Sequence, residues 1–464
     1  MKSAPVFAIL GHPNEGKSTL VSTLTEDDTV RVSPFPGETT ACRTYTVEHE
    51  GVPLIQFVDT PGFQSPRKTL AWFKAYDGPA ETILEAFLNA HENGDGFSDE
   101  RELFEPVSKG AGIIYVADGS RPVRANDLAE MEILRLTGLP RMAVINCKSS
   151  KEAHLPAWRA EFRKTFNAVR VFNAHSASAA DRQELLSALM TVDPEWAPAL
   201  KNVVSIFSQE WEHRIHRSAS AMANLLKFAL THQVSKTLRD EAKKTELTAK
   251  LTETFKKEIQ KKEMETRATI RRIFKHTLFD VDLPQDSILA QDLFDSRTMK
   301  LLGLTRGQLT TAAATCGAAA GVAIDLAAVG QSFGLFALGG AIGGAASVLL
   351  GQKQLAKATI SGVPLGGHEI TLGPCRNLQV LFVLLDRIHL YFRLITSRAH
   401  GKRDELALTV ETRALQEGGL SQSLSSQEKK AFHTLFEVAS KKESEGLQAA
   451  LAQVESILRE KLSG

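Results

Sequence analysis

Residues Gly11-His12-Pro13-Asn14-Glu15-Gly16-Lys17-Ser18-Thr19 carry the spacing GxxxxGK[ST]. Its chemistry is the capture of phosphate. Glycines let backbone N–H groups close around phosphate oxygens, the lysine reaches the terminal phosphates, and a hydroxyl on the first helical turn holds Mg²⁺. Gly11, Asn14, Glu15, Gly16, Lys17, Ser18 and Thr19 are therefore the expected nucleotide contacts, with Lys17 as the catalytic cation and Ser18 as a metal ligand. Such a motif works only between a strand and a helix. Pro5 to Leu10 supplies a short apolar run before it, and Ser18 to Leu24 reads as the helix after it.

Two further segments follow in the order a GTPase requires. Pro36-Gly37-Glu38-Thr39-Thr40 is a hydroxyl-rich loop in which Thr39 is the chosen ligand completing the Mg²⁺ shell when γ-phosphate is present. The apolar run Pro53 to Val58 then ends in Asp59-Thr60-Pro61-Gly62, where Asp59 meets Mg²⁺ through water and the Gly62 amide senses γ-phosphate. A DxxG after a strand is weak by itself. The three segments in this order and spacing point to GTP and GDP as ligands.

Over roughly residues 4 to 195 the sequence resembles the Era and TrmE group of TRAFAC-class bacterial GTPases, whose motifs read GxPNxGKS, PGxT and DTPG. The resemblance implies that Asn14 places a K⁺ ion beside the phosphates and joins Lys17 and Thr39 in catalysis. It also puts Phe63 where other GTPases carry a water-orienting glutamine, which implies slow intrinsic hydrolysis aided by K⁺ or a partner. Dimerisation across nucleotides is common among potassium-dependent members of the group. The base-reading motif departs from the group's NKxD: Asn146-Cys147-Lys148-Ser149 displaces the lysine and lacks the aspartate. Ser149 can accept one hydrogen bond where the aspartate accepts two, so selectivity for guanine over adenine is expected to fall by roughly an order of magnitude. Asn146, Lys148 and Ser149 remain the expected base contacts, with the loop behind the base at Phe172 to His175, including Asn173 and Ala174, or at Ser176-Ala177.

These residues need a scaffold. Alternating strands and helices at Gly112 to Ala117, Arg124 to Thr137, Arg141 to Ile145, Pro156 to Phe166 and Asp181 to Met190 predict a doubly wound, mostly parallel α/β sheet over residues 1–198. An insertion at 64–109 is longer than a switch region needs. It reads as an extra pair of surface helices, or as a docking element for a protein partner or a second copy of the chain that responds to γ-phosphate. Net charge is +1 with 23% charged residues, which excludes wholesale nucleic-acid binding driven by charge. Cys42, Cys147, Cys316 and Cys375 are scattered without a CxxC pair, as expected in a reducing cytoplasm. The initial apolar run reads as a strand and not a signal peptide, so the nucleotide domain is expected to face the cytosol.

Beyond Trp196-Ala197-Pro198 the chain becomes mainly helical. Residues 199–300 are expected to form an amphipathic stalk or hairpin, with Leu238, Leu247, Leu251, Phe255 and Ile259 at spacings of three and four among charges. The cluster Lys256, Lys257, Lys261, Lys262, Arg267, Arg271, Arg272 and Lys275 reads as a solvated helix face. Residues 301–464 form a third region. Within it, Gly307 to Gln352 has Asp325 as its one charged residue and holds two spans, Gln308 to Val329 and Ser332 to Gly351, each close to the ~20 residues that cross a bilayer. Their glycine spacing resembles the glycine-zipper hairpins of some membrane-associated GTPases. A membrane hairpin and the buried centre of a soluble bundle both fit. Leu378 to Thr396 reads as a core helix with a polar edge, and Ser425 to Leu462 as a charged helical pair.

The sequence thus predicts a Mg²⁺-dependent GTPase switch, K⁺-stimulated by resemblance, coupled to a helical region that meets the inner face of the cell membrane. The alternatives are a soluble RNA or ribosome-assembly GTPase and a nucleotide-binding scaffold with weak hydrolysis. RNA is the weaker partner, since Ser361 to Gly366 lacks the basic GXXG loop of a KH module.

Overall fold

The computed structural model describes residues 4–30, 39–92, 96–147, 153–238, 241–276, 287–304, 359–360, 363–364, 368–400, 419–441 and 444–463. The chain divides into two compact units. The first is Met1–His213 with the short segments Lys275–Asp280 and Thr396–Glu405; the second is Arg214–Phe274, Val281–Ile395 and Leu406–Gly464.

In the first unit, β1 (Val6–Leu10) is apolar at every position because both its faces are covered. Phe7 and Ile9 enter one core, Ala8 and Leu10 the other. Around it lie β2 (Arg43–His49), β3 (Val52–Asp59), β4 (Gly112–Asp118), β5 (Arg141–Asn146) and β6 (Ala168–Val171), in the order β2-β3-β1-β4-β5-β6. β3, β1, β4, β5 and β6 run parallel, while β2 pairs antiparallel with β3. β1 lies between β3 and β4, so its carboxyl end opens at a topological switch point, where such sheets bind ligands. Helix α1 (Lys17–Thr25) follows β1 directly. α5 (Ala125–Leu136), α6 (Leu155–Thr165) and α7 (Ala179–Leu189) cover the sheet.

The insertion forms α2 (Pro66–Ala75), α3 (Ile83–Ala90) and α4 (Ser98–Ser108). They lie at the surface as the simpler expectation has it, but they are three helices and not a pair, and each packs one face inward. Phe73, Phe87 and Phe104 are buried in the same core that lies under β1 and β4. Phe87 and Phe104 meet edge to face at 5.5 Å, and Trp72 meets Phe87 at 5.1 Å. An amphipathic pattern shows that a face is apolar but not what it meets; here it meets the main core.

Helix α8 (Ala197–Thr231) begins where the sequence changes character. After it come β7 (Val234–Leu238), α9 (Lys244–Ile273), α10 (Ser296–Leu301), β8 (Thr359–Ile360), β9 (Val363–Pro364), β10 (His368–Leu372), α11 (Leu378–Thr396), α12 (Leu420–Ser423), α13 (Ser426–Lys441) and α14 (Ser444–Ser463). β10 pairs antiparallel with β7, and β8 with β9. Leu238 therefore ends a strand and does not belong to the helical stripe, whereas Leu251, Phe255 and Ile259 are buried on α9 as the periodicity requires.

Helix α11 is buried almost all round, including Asp386 and Arg387. Asp386 accepts hydrogen bonds from Gly303 N at 2.7 Å, Ser421 N at 2.7 Å and Ser421 Oγ at 2.6 Å. Arg387 donates to Glu263 at 3.0 Å and to the carbonyl of Ile288 at 2.7 Å. Arg267 also bonds Glu263 and is buried, which takes it out of the solvated basic face proposed for α9. Buried charge persists only when paired in this way. Among the described residues no helix is long and apolar enough to cross a membrane. The hairpin at 307–352 lies outside the described residues.

Candidate functional site: a phosphate-binding loop and its switches

The loop between β1 and α1 has the backbone its sequence demands. Gly11 has φ 141°, Asn14 φ 65° and Gly16 φ 95°, so the chain curls and turns its amides inward. A Cβ at Gly11 would stand 2.3 Å from the carbonyl oxygen of Val116, so no other residue fits there. Lys17, with a buried side chain, donates to the carbonyls of Gly11 at 3.2 Å and His12 at 3.0 Å, which lays its ammonium across the loop. Ser18 and Thr19 occupy the first turn of α1, whose N-terminus favours an anion.

A second ring of side chains, absent from the sequence reading, fixes this loop. His12 Nδ1 meets Glu130 at 2.9 Å, and the Tyr115 hydroxyl donates to the other oxygen of Glu130 at 2.8 Å. The hydrogen bond to Glu130 raises the His12 pKa, while burial raises that of Glu130. The Glu15 carboxylate accepts from Asp118 N and from Arg121 Nη2 at 2.6 Å. It is thereby turned toward the β4–α5 loop, while the Glu15 carbonyl accepts from Asn146 Nδ2. Arg121 is held in turn by Asp127 at 2.6 Å and lies 5.2 Å from the Trp158 ring. One local signal could have revealed Asp127, since an acidic residue in the first turn of α5 accepts from the N-cap amide, here Arg124 N at 2.7 Å. The partners of Glu15 and His12 are long-range and left no local trace.

Ser18 and Asp59 are brought together, with Ser18 Oγ donating to Asp59 Oδ2 at 2.7 Å. Burial raises the Asp59 pKa, opposed by Ser18, Lys17 and Arg43. Asp59 Oδ1 is buried and accepts no hydrogen bond. A buried carboxylate oxygen in that position beside a hydroxyl and an ammonium is what a hydrated Mg²⁺ would satisfy, so the donor set fits the metal. Thr39 is half-buried in the coil that leads into β2; Pro36, Gly37 and Glu38 lie outside the described residues.

The segment after β3 is stitched to the phosphate loop. Thr60 Oγ1 donates to the carbonyl of Ile9 at 2.6 Å, and Phe63 N donates to that of Gly11 at 3.3 Å. A Cβ on Gly62 would stand 2.4 Å from Pro13 N, so the two loops touch backbone to backbone. The Phe63 ring is fully buried and meets Phe104 edge to face at 5.8 Å. Helix α4 grips both flanks of the site. Glu100 accepts from Gln64 N at 3.0 Å and Ser65 N at 2.6 Å, and Glu102 accepts from Cys42 N at 2.6 Å. Burial, with Glu102 and Glu105 nearby, pushes the Cys42 thiol up to about 12.

On the base side, Asn146 ends β5 fully buried. It donates to the carbonyl of Glu15 at 3.0 Å and accepts from Ala174 N at 3.1 Å. Thr23 Oγ1 donates to the carbonyl of Ala174 at 2.8 Å, while Asn173 accepts from His175 N at 3.0 Å. Asn146 thus ties the phosphate loop to the 173–175 loop, and Lys148 and Ser149 lie outside the described residues.

Comparison with known proteins finds similarity in both halves of the chain. Residues 6–146 match the family described as 50S ribosome-binding GTPase, and residues 159–459 match the domain of unknown function DUF3482. The GTPase Der of Burkholderia mallei is 31% identical over 142 residues, 31% of this chain and 26% of that protein. The same figures hold for GTPase Der of Burkholderia multivorans. The chain therefore spans about a quarter of the length of these relatives. Among solved structures, Era in complex with MgGDPNP and a 16S ribosomal RNA segment is similar at 19% identity, covering 42% of this chain and 58% of that one, with a TM-score of 0.31. NFeoB from S. thermophilus bound to GDP, AlF4 and K⁺ is similar at 16% identity, covering 58% of this chain and 99% of that one, with a TM-score of 0.25.

Proposed function

The chain belongs to the DUF3482 family, and from that premise we propose a GTP-driven switch whose insertion helices read the nucleotide state for a helical effector region. Its first unit carries a P-loop GTPase domain homologous to Era- and Der-type GTP-binding proteins. The observation that carries the proposal is the grip of α4 on both switch flanks, through Glu100 on residues 64 and 65 and Glu102 on residue 42. A γ-phosphate that draws Thr39 and Gly62 toward itself must move those flanks, and α4 with them.

Catalysis in this reading is positioning and charge neutralisation. The loop amides and Lys17 hold the β- and γ-phosphates. Ser18, Thr39 and, through water, Asp59 would hold Mg²⁺, which supplies neutralisation of phosphate charge. Asn14, Lys17 and Thr39 act on the γ-phosphate, and Asn14 would hold K⁺, which would add positive charge beside the phosphates. Phe63 is an anchor and orients no water. Asn146, Asn173 and Ala174 line the base, with Lys148 and Ser149 completing that side.

The effector output is proposed at a membrane, through 307–352 at its cytoplasmic face, with the exposed surface of 64–109 contacting a protein partner or a second copy. The apolar, glycine-spaced sequence of 307–352 supports the former. Hydrogen exchange of the full chain with GDP and with a non-hydrolysable GTP analogue tests the switch: protection should change at α4 and at residues 39–45 together. Equal exchange in both states would refute it. Liposome flotation with and without 307–352 tests the output. Nucleotide-dependent recovery of RNA without lipid binding would replace the membrane with a ribosomal or RNA partner.

A further inference from the structure

Away from the nucleotide loop, the first unit holds Asp28, His276 and His400 in one buried cluster. Their residues are 3%, 3% and 7% exposed. They come from three distant stretches of chain, and the segments bearing the two histidines are counted with the first unit. One ligand atom from each residue lies within 4.8 Å of the others. Asp28 Oδ1 stands 3.8 Å from His276 Nδ1, wider than a hydrogen bond. The two imidazoles stack at 4.1 Å with an interplanar angle of 11°.

We propose that Asp28, His276 and His400 form a binding site for one divalent transition-metal ion of the zinc type. The donor set is the reason for that class. Two neutral imidazoles and one carboxylate suit Zn²⁺, Fe²⁺ or Co²⁺, whereas Mg²⁺ and Ca²⁺ take oxygen ligands. Donors about 2.0–2.1 Å from a tetrahedral ion lie about 3.4 Å apart, and because imidazole lone pairs lie in the ring plane, one of the two stacked rings must also turn out of the stack for both nitrogens to meet one ion. Water or another donor would fill the remaining position.

The loop bearing Asp28 is prepared for such a load. Ser22 Oγ donates to the carbonyl of Asp27 at 2.8 Å, and Thr29 N and Oγ1 donate to Asp27 Oδ1 at 2.7 and 2.6 Å. Glu26 pairs with Arg182 at 2.6 Å and with Lys275, the neighbour of His276, at 3.6 Å. Asp28 stands between α1 and the threonine loop at 36–40. A bound ion would therefore fasten the root of that loop to the two histidine segments. This inference does not depend on the GTPase reading.

The test uses the full chain, stripped with a chelator and titrated with Zn²⁺ against a competing indicator in buffer containing GDP and Mg²⁺. About one equivalent is expected to bind tightly. His276→Gln and His400→Gln, checked for retained fluorescent-GDP binding, should each weaken it by on the order of 100-fold or more, since losing a ligand exceeds the loss of a supporting residue. The chain has 13 histidines, so zinc held equally by wild type and the double variant would be surface binding and would overturn the proposal, as would no uptake at all. Co²⁺ replacement in the wild type gives a readout that needs no variant. Visible d–d bands of a four- or five-coordinate nitrogen and oxygen site support the assignment, and a spectrum of hydrated Co²⁺ alone rejects it.

Discussion

Replacing Glu100 should loosen the switch without touching the nucleotide loop. Its buried carboxylate is the acceptor for Gln64 N at 3.0 Å and Ser65 N at 2.6 Å. Hydrogen bonds to charged groups contribute about 1.5–3 kcal/mol each, and donors left unmet in a buried place lose about 1–3 kcal/mol. Two such bonds would sum to about 3–6 kcal/mol, reduced to about 2–4 kcal/mol because water can enter the gap left by Glu100→Ala. Glu100→Gln keeps an acceptor and loses its charge, so about 1 kcal/mol is expected. At about 1.4 kcal/mol per decade, Glu100→Ala should lower amide protection at residues 64 and 65 by roughly 30- to 700-fold, and Glu100→Gln by about fivefold. Hydrogen exchange of the GDP-bound full chain measures this. Unchanged protection at 64 and 65, with α4 still helical, would refute the claim that α4 holds this flank.

Lys17→Ala should lower GTP turnover by on the order of 100-fold or more while the fold persists, checked by phosphate release and circular dichroism. Gly62→Ala places a methyl against the Pro13 backbone, and an overpacking cost of about 1–3 kcal/mol should appear as weaker binding of fluorescent GTP analogues. Asn146→Ala removes the tie between Glu15 and Ala174; a loss of about 2–4 kcal/mol in nucleotide affinity is expected by calorimetry. Hydrogen bonding to Glu130 raises the His12 pKa above 6.5, so the protonated pair contributes its stability below about pH 6.5 and loses it as pH rises through the raised value. Melting of the GDP complex should accordingly fall more steeply from pH 6.5 upward for wild type than for His12→Gln.

The chemistry at Gly11 to Thr19 and Asp59 to Gly62 was legible because it needs fixed backbone shapes that few residue types allow. β1, β4 and β5 were legible for the opposite reason, being buried on both faces and almost continuously apolar, and β3 by its apolar residues Leu54, Ile55, Phe57 and Val58. β2 escaped notice because Arg43, Thr44, Thr46 and Glu48 are exposed and only Val47 is buried; an edge strand borrows its order from its neighbour. The network of Glu15, Arg121 and Asp127 joins residues more than a hundred positions apart, and no periodicity records such a meeting. The burial of Arg267 was hidden likewise, since its neutralising partner Glu263 also contacts Arg387 from another helix.

The position of Phe63 constrains how the switch can move. Its amide bonds Gly11 across the phosphate loop, while its ring is enclosed with Phe104, which in turn contacts Phe73 at 5.6 Å and Phe87 at 5.5 Å. Swinging the ring out to water would forfeit about 1.5–3 kcal/mol of burial and about 0.5–1.5 kcal/mol for the aromatic pair. The bonds from Glu100 resist the same motion. A local flip of residues 62–65 is therefore more costly than moving the segment together with α4 as one body, because the second path keeps the ring contacts and the carboxylate bonds intact. In the proposed switch the nucleotide signal would leave the site through the insertion, and Phe63→Ala should uncouple α4 from the γ-phosphate while preserving nucleotide binding, a separation that hydrogen exchange in the two nucleotide states resolves directly.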